Sequence, residues 1–348
     1  MDFERGPQPR PGRPPLLRTL EPHLVLGIAN EVLPQFGFTS FSESTGGNFN
    51  TCYIVSTDKG QRVVLRLAPA SDSVIYRHEI QLLRREATLL DLLPSQWYSV
   101  PKVLYRDFTN STMQRDIVIH TYLTGKLWSN SSKLSLLKHE VRLWEEILSI
   151  ADYLKDNRAP KFGFPPPAKG FTRWSEAVRD LFEGLLSDLS RHNLLFDKAA
   201  SLCEIVDEAA PALAEITVPR LVHGDLWPKN VLLSNVRIPH ITGILDWERS
   251  YWGDPLSSWI LINSSMGGRV PRTGYIYRCS LTSADYMQIP SAAVKQLFSP
   301  HTTYNLRNCI YYACYLLLRR LEQQRYLRHE QWIFSEFDAV IGRIRSIL

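Results

Sequence analysis

The chain has 348 residues, of which 44% are apolar and 22% charged, enough to bury one large core or two lobes around a cleft. Its formal net charge is only +5, and part of that excess falls in the Arg- and Pro-bearing stretch from Arg5 to Arg18. The remainder is close to balance, which excludes a dedicated nucleic-acid binder built on a concentrated basic stripe.

Residues 1–18 carry repeated Pro and Arg with little to bury, so a disordered tail is expected there. From Glu21 to Leu33 the apolar residues follow helical spacing until Pro34 ends the run. The β-branched and apolar runs Cys52–Ser56 and Arg62–Leu67, joined by Thr57-Asp58-Lys59-Gly60, predict a hairpin. His78–Leu93 reads as one amphipathic helix stopped by Pro94, followed by strands over Lys102–Tyr105 and Asp116–Tyr122. After Gly125 the pattern turns helical over 133–156, 172–189 and 194–215, and again over 306–326 and 330–348. The expected class is therefore α+β, a small antiparallel sheet with a helix followed by a larger, mostly helical part.

The five cysteines, at 52, 203, 279, 309 and 314, form no CxxC pair and no zinc-spaced cluster with histidine. A reducing, cytoplasmic setting is expected, since the N-terminus lacks the basic-then-apolar order of a signal peptide. No apolar run approaches the roughly 20 residues that span a bilayer, so no membrane partner is expected. The Asn-x-Ser/Thr triplets at 110, 130 and 263 would then go unused.

The chemistry concentrates in Leu221-Val222-His223-Gly224-Asp225-Leu226-Trp227-Pro228-Lys229-Asn230-Val231-Leu232-Leu233 and in Ile241-Thr242-Gly243-Ile244-Leu245-Asp246-Trp247-Glu248. Asn230 opens one apolar strand, the polar stretch 234–240 turns the chain, and Asp246 closes the returning strand. In an antiparallel hairpin those two positions are neighbours, about 4.8 Å apart, and can share one cation. An amide and a carboxylate oxygen, with positions left for phosphate and water, suit Mg²⁺ bound with a nucleotide. Asp225 lies on the loop before the hairpin, which Pro228 is expected to keep from becoming helical. From there it can accept a proton from an incoming hydroxyl, and phosphoryl transfer asks mainly for such positioning and charge neutralisation.

This segment resembles the HGDxxxxN and DxE motifs of the aminoglycoside phosphotransferase family of protein-kinase-like small-molecule kinases. The resemblance extends from about Glu21 and is strongest over Leu221–Asp254. It implies a protein-kinase-like two-lobed fold, with a nucleotide-binding lobe over 19–123 and a helical lobe over 124–348 holding the catalytic loop and acceptor site. It also implies Asp225 as catalytic base, Asn230 and Asp246 as magnesium ligands, His223 as a brace of the loop, and Gly253-Asp254-Pro255 as a structural element behind it. Upstream, the Gly46-Gly47-Asn48 run suits close approach of backbone N–H groups to phosphate, and equally suits an ordinary hairpin turn. Arg66 stands where kinases place the phosphate-pairing lysine, Glu86 resembles the helix glutamate that holds that cation, and Glu79 is a rival partner. The segment Ile119-His120-Thr121-Tyr122-Leu123 resembles the hinge whose backbone groups meet the adenine edge, with Thr121 and Leu123 as its candidate contacts.

The implied activity is transfer of the γ-phosphoryl group of ATP or GTP to a hydroxyl of a small molecule. A catalytically silent nucleotide-binding or scaffold protein on the same fold is the alternative. A protein kinase is disfavoured, because neither Asp-Phe-Gly nor Ala-Pro-Glu frames an activation loop. For the acceptor, the acids Glu176, Asp180, Glu183 and Asp188 point to a cationic sugar or to a solvated helix face. Trp128, Trp174, Trp252 and Trp259 point to an aromatic or terpenoid alcohol or to buried core.

Overall fold

The computed structural model describes residues 16–44, 47, 49–93, 99–110, 113–131, 139–258, 269–271, 286–288, 303–325 and 331–348. Two compact units are present: Met1–Ile75 with Glu79–Leu123, and Tyr76–His78 with Thr124–Leu348.

In the first unit, helix α1 (Pro22–Val32) precedes a five-stranded antiparallel sheet of order β1-β2-β3-β5-β4. The strands are β1 (Phe38–Ser44), β2 (Thr51–Thr57), β3 (Arg62–Leu67), β4 (Val103–Asp107) and β5 (Ile117–Thr121). Alternation along each strand sorts its side chains between two faces. Tyr53, Val55, Val63, Leu65, Ile117 and Ile119 join Val25, Ile28 and Ala29 of α1 in one core. Val118, on the other face, packs with Leu83 and Ala87 of helix α2 (Leu82–Leu92). The predicted hairpin is present, and Gly60 takes the positive φ of 79° that its turn requires.

Three expectations are corrected in this unit. The edge strand β1 is an addition to the expected elements, because Phe-Thr-Ser-Phe-Ser-Glu-Ser buries only Phe38 and carries no apolar alternation. The helix expected from His78 starts at Leu82, because Arg77–Glu79 form a separate 3-10 turn and Gln81 takes a left-handed conformation at φ 58°. Disorder is expected through residue 18, but at its described end Leu16 packs with Phe49 and Leu82, and Leu17 is buried as well. Residues 1–15 and Pro94 lie outside the described residues.

The second unit is mainly helical, with α3 (Glu140–Leu154), α4 (Trp174–Arg191), α5 (Asp197–Ala200), α6 (Leu202–Glu208), α7 (Ala210–Ala214), α8 (Tyr304–Arg325) and α9 (Trp332–Ile347). The single helix expected over 194–215 is thus three short ones, with Pro211 in the first turn of the last. Residues 133–138, 326 and 330 of the other expected helices lie outside the described residues. Short strands complete the unit. β6 (Lys126–Leu127), β8 (Val231–Leu233) and β9 (Ile241–Ile244) form a three-stranded sheet, and β7 (Arg220–Val222) pairs with β10 (Tyr251–Gly253). Among the described residues, no helix is long and apolar enough to cross a membrane.

A buried polar knot ties this unit together at Asp254, just after β10. Leu256 N–H donates to its Oδ1 at 3.0 Å, and the Tyr311 hydroxyl donates to its Oδ2 at 2.8 Å. Arg307 forms an ion pair with the same carboxylate, and Trp174 Nε1 donates to the Tyr311 hydroxyl at 2.7 Å. One charge therefore joins α4, α8 and the segment after β10. Tyr311→Phe leaves the buried Trp174 N–H without its acceptor and removes a donor from Asp254. A loss of about 1–3 kcal/mol is expected by urea unfolding, whereas an exposed hydroxyl would cost almost nothing.

Candidate active site

The loop after β7 is shaped by close backbone packing. Gly224 has φ 74°, and a Cβ there would lie 2.1 Å from the carbonyl oxygen of Arg249. Both the left-handed backbone and the absent side chain are therefore required. Pro228 begins a single 3-10 turn, Pro228–Asn230, closed by Asn230 N–H to Trp227 O at 2.8 Å. The expectation that Pro228 prevents helical structure is corrected: proline is tolerated at the first position of such a turn, where its missing N–H has no intrahelical partner.

Asn230 is buried, and its Nδ2 donates to the Asp225 carboxylate Oδ2 and to the Asp225 main-chain carbonyl, both at 2.9 Å. With both amide hydrogens engaged, its Oδ1 is the atom left to meet a cation. Antiparallel pairing then sets Val231 opposite Ile244, and Leu245 N–H donates to Asn230 O at 2.8 Å. The next residue, Asp246, leaves the strand in a left-handed conformation, φ 65° and ψ 58°. A non-glycine residue in that region marks a backbone held by its surroundings, a feature concentrated at functional sites. Asp225, Asn230 and Asp246 thus come together at one end of the β8–β9 hairpin.

His223 fixes the loop from behind. Its Nδ1 accepts from Asp225 N–H at 3.3 Å, and its Nε2 lies 3.1 Å from Leu245 O, so the Nε2–H tautomer satisfies both contacts. Burial lowers its pKa to about 4, against the opposing pull of Asp246 and the Leu245 hydrogen bond. The ring is therefore neutral at pH 7 and packs 4.5 Å from Trp247. Ser250 Oγ adds a hydrogen bond to His223 O at 3.1 Å.

Burial pushes the Asp225 carboxyl up to about 7; Arg249 opposes the shift, while Asp246 and Glu322 add to it. Arg249 Nη2 reaches Glu322 Oε1 of α8 at 3.1 Å, and Arg319 Nη1 reaches Glu322 Oε2 at 2.9 Å. Sequence reasoning misses these charged neighbours. Arg249 follows the Asp-Trp-Glu motif directly, but Glu322 lies 73 residues further on with no local signal.

The first unit holds its own set of the expected residues. Arg66 on β3 and Glu86 on α2 form a buried ion pair, with Arg66 Nη1 at 2.5 Å from both carboxylate oxygens. Of the two carboxylates considered, Glu86 makes this pair, and Glu79 is buried as well. Thr121 closes β5 with N–H to Lys102 O at 2.9 Å, and its hydroxyl accepts from Lys102 N–H at 2.9 Å. His120 precedes it, its pKa lowered to about 4 by burial and by Arg66. Leu123 is half-buried at the end of this unit. Gly47 has room for a side chain, since a Cβ there would meet nothing nearer than Asn50 O at 3.4 Å, whereas Gly46 and Asn48 lie outside the described residues.

Residues 41–257 match the sequence pattern of the phosphotransferase enzyme family. The chain belongs to that family. No curated protein matches its sequence. Among solved structures it is similar to a candidate fructosamine-3-kinase from Thermobifida fusca YX-ER1, at 15% identity and TM-score 0.61, over 92% of this chain and 98% of that one. A candidate aminoglycoside phosphotransferase from Ralstonia eutropha JMP134 aligns at 15% identity and TM-score 0.57, over 92% and 94%. A thermostable mutant of aminoglycoside phosphotransferase APH(4)-Ia, in ternary complex with ADP and hygromycin B, aligns at 16% identity and TM-score 0.55, over 93% and 97%. The fold is thus the two-lobed, protein-kinase-like α+β fold, and family membership supports a small-molecule phosphotransferase.

Two outcomes follow from this geometry. Gly224→Ala drives a methyl group into the Arg249 carbonyl, and a loss of at least about 3 kcal/mol is expected by urea unfolding. For Asp225, the native carboxyl takes its proton at a higher pH than the unfolded one, so the folded state binds more protons between the two values. Stability is then lost as pH rises through the window from about 4 to about 7. In metal-free buffer, Asp225→Asn is expected to gain Tm relative to the parent between pH 5 and pH 8, on the order of 2–4 °C. A constant difference across that range would contradict the raised carboxyl.

Proposed function

We propose that this protein transfers the γ-phosphoryl group of ATP or GTP to a hydroxyl of a small molecule. The observation that carries this reading is the Asn230 amide, fixed to Asp225 by both hydrogens beside Asp246. In this reading the acceptor oxygen attacks the γ-phosphorus, the bond to the β–γ bridging oxygen breaks, and the hydroxyl proton passes to Asp225.

Asn230 and Asp246 fit a magnesium ion shared with phosphate. Their oxygens are hard donors, and among the described residues no group of three or more His, Cys, Asp or Glu forms a self-sufficient metal cage. When bound, the ion would neutralise charge on the phosphates. Arg66, held by Glu86, is assigned to the phosphates, as is the Gly46-Gly47-Asn48 run. The backbone from Thr121 to Leu123 is assigned to the base of the nucleotide. A cytoplasmic setting belongs to the same reading, since it supplies nucleotide and suits the free thiols at 52, 203, 309 and 314.

The acceptor is left as a small hydroxyl compound. Glu176 is engaged by Arg173 at 2.7 Å, Asp180 by Arg77 at 2.6 Å and Glu183 by Arg179 at 2.9 Å. Asp188 accepts from Arg77 N–H at 2.7 Å. That face of α4 is therefore charge-balanced and gives little support to an acidic bed for an amino-sugar. Trp128, Trp174 and Trp252 are buried in the core, with Trp128 packed 5.0 Å from Trp144, and Trp259 lies outside the described residues.

A panel of hydroxyl metabolites incubated with Mg-ATP and Mg-GTP tests this reading. The parent should form nucleotide-dependent product, and Asp225→Asn should lower kcat by about 10²–10⁴-fold. Equal product from both proteins would remove Asp225 as the base. Nucleotide binding without any product would instead favour the silent-scaffold alternative.

A further inference from the structure

The face of the five-stranded sheet opposite α1 is covered unevenly. Towards β4 and β5, Val103 and Val118 pack with Leu83 and Ala87 of α2. Towards β2 and β3, Ile54 and Val64 stand opposite each other on this face and are only half-buried. Arg66 follows Val64 by two residues on β3, so it lies on the same face, about 7 Å further along the strand. His120 of β5 flanks this apolar bed. Its partners across the sheet are Val64 on β3 and Val103 on β4, and the next residue, Thr121, ends the strand.

The His120 ring is held in one state. Its Nδ1 lies 3.0 Å from Thr121 O, and because a carbonyl oxygen can only accept, Nδ1 carries the hydrogen. An imidazole is mostly neutral at pH 7 even when unperturbed; here burial and the Arg66 charge lower its pKa to about 4, against the pull of the Thr121 hydrogen bond. Nε2 is then a bare acceptor. Among the described residues no hydrogen bond reaches it, and it is not one of the enclosed polar atoms that lack a partner. A side chain that is otherwise buried therefore offers one lone pair at the edge of the apolar bed.

Building on the phosphotransferase reading, we propose that His120 is a specificity-determining residue that reads the base of the donor nucleotide, its Nε2 accepting a hydrogen bond from the 6-amino group of adenine. Ile54 and Val64 suit the flat face of a purine, and Arg66 on the same face is the cation assigned to the phosphates. Adenine and guanine differ at the atom that matters. Position 6 carries two N–H donors in adenine and a carbonyl oxygen in guanine. Two acceptors brought face to face both lose water without gaining a partner, which costs more than a hydrogen bond that is merely absent. The donor is accordingly ATP in preference to GTP.

The test needs no acceptor. Isothermal titration in magnesium buffer measures the Kd of ATP, GTP and purine riboside triphosphate, which lacks any group at position 6, for the parent, His120→Leu and His120→Gln, with Tm recorded for each protein. The parent should bind ATP about three- to tenfold more tightly than purine riboside triphosphate, and about tenfold or more tightly than GTP. His120→Leu, which has no acceptor, should bring the three Kd values within about threefold of one another, chiefly by weakening ATP. The amide of His120→Gln can turn either an oxygen or an N–H towards the base, so this variant should keep ATP ahead of purine riboside triphosphate while admitting GTP. Each comparison is a ratio within one protein, so a general loss of stability does not imitate it.

A parent that binds ATP and GTP equally well, or variants that keep the parent's ratios, would show that the base is read by other groups, such as the backbone from Thr121 to Leu123, and would overturn this proposal alone. A parent that binds none of the three nucleotides removes the phosphotransferase reading, and this proposal with it.

Discussion

The two hydrogen bonds from the Asn230 amide to Asp225 are the contact around which the second unit is arranged. They join the loop before β8 to the start of β8, so the carboxylate and the amide oxygen keep a fixed separation. Each neighbouring feature then has a local task. The β8–β9 pairing brings Asp246 alongside through Leu245 N–H, and His223 receives the Asp225 N–H while its other nitrogen reaches Leu245 O. Gly224 lets the chain turn tightly enough for these bonds to form. Removing water from such a cluster strengthens every interaction within it, which is why burial shifts both Asp225 and His223 so far from their ordinary values.

Burying charge is costly, and both units meet that cost by pairing. In the first, Arg66 and Glu86 sit together at the centre of the sheet and its helix; in the second, Arg307 and Asp254 do the same between α8 and β10. Such pairs add little net stability relative to apolar packing, but breaking one leaves an uncompensated charge in the core. Their value here is geometric. Arg66 is held on β3 by a residue from α2, so its position is set by the packing of that helix on Val118 and its neighbours.

Much of this is legible in the sequence because the informative residues are close along the chain. Thirteen consecutive residues, 221–233, contain the loop, its glycine and the first strand, and 241–248 contain the return. Periodicity locates α1, β2, β3, β5, α8 and α9 for the same reason: their apolar residues repeat at a single spacing. What escapes is non-local or unpatterned. The strand β1 is polar at an exposed sheet edge, and its structure comes from pairing with β2 and not from its own residues. Gln81 at positive φ separates a 3-10 turn from α2 within a continuous amphipathic pattern. The Arg249–Glu322 pair joins groups that only the folded chain brings together.

The same device therefore appears in each unit, taken separately: an arginine on a strand or loop held by a glutamate on a helix. Arginine suits this arrangement better than lysine, because its planar fork engages a carboxylate and still presents N–H groups in other directions. At position 66, Glu86 of α2 fixes the guanidinium from one side. At position 249 a helix carboxylate, Glu322 of α8, receives the guanidinium, and its second oxygen is taken by Arg319.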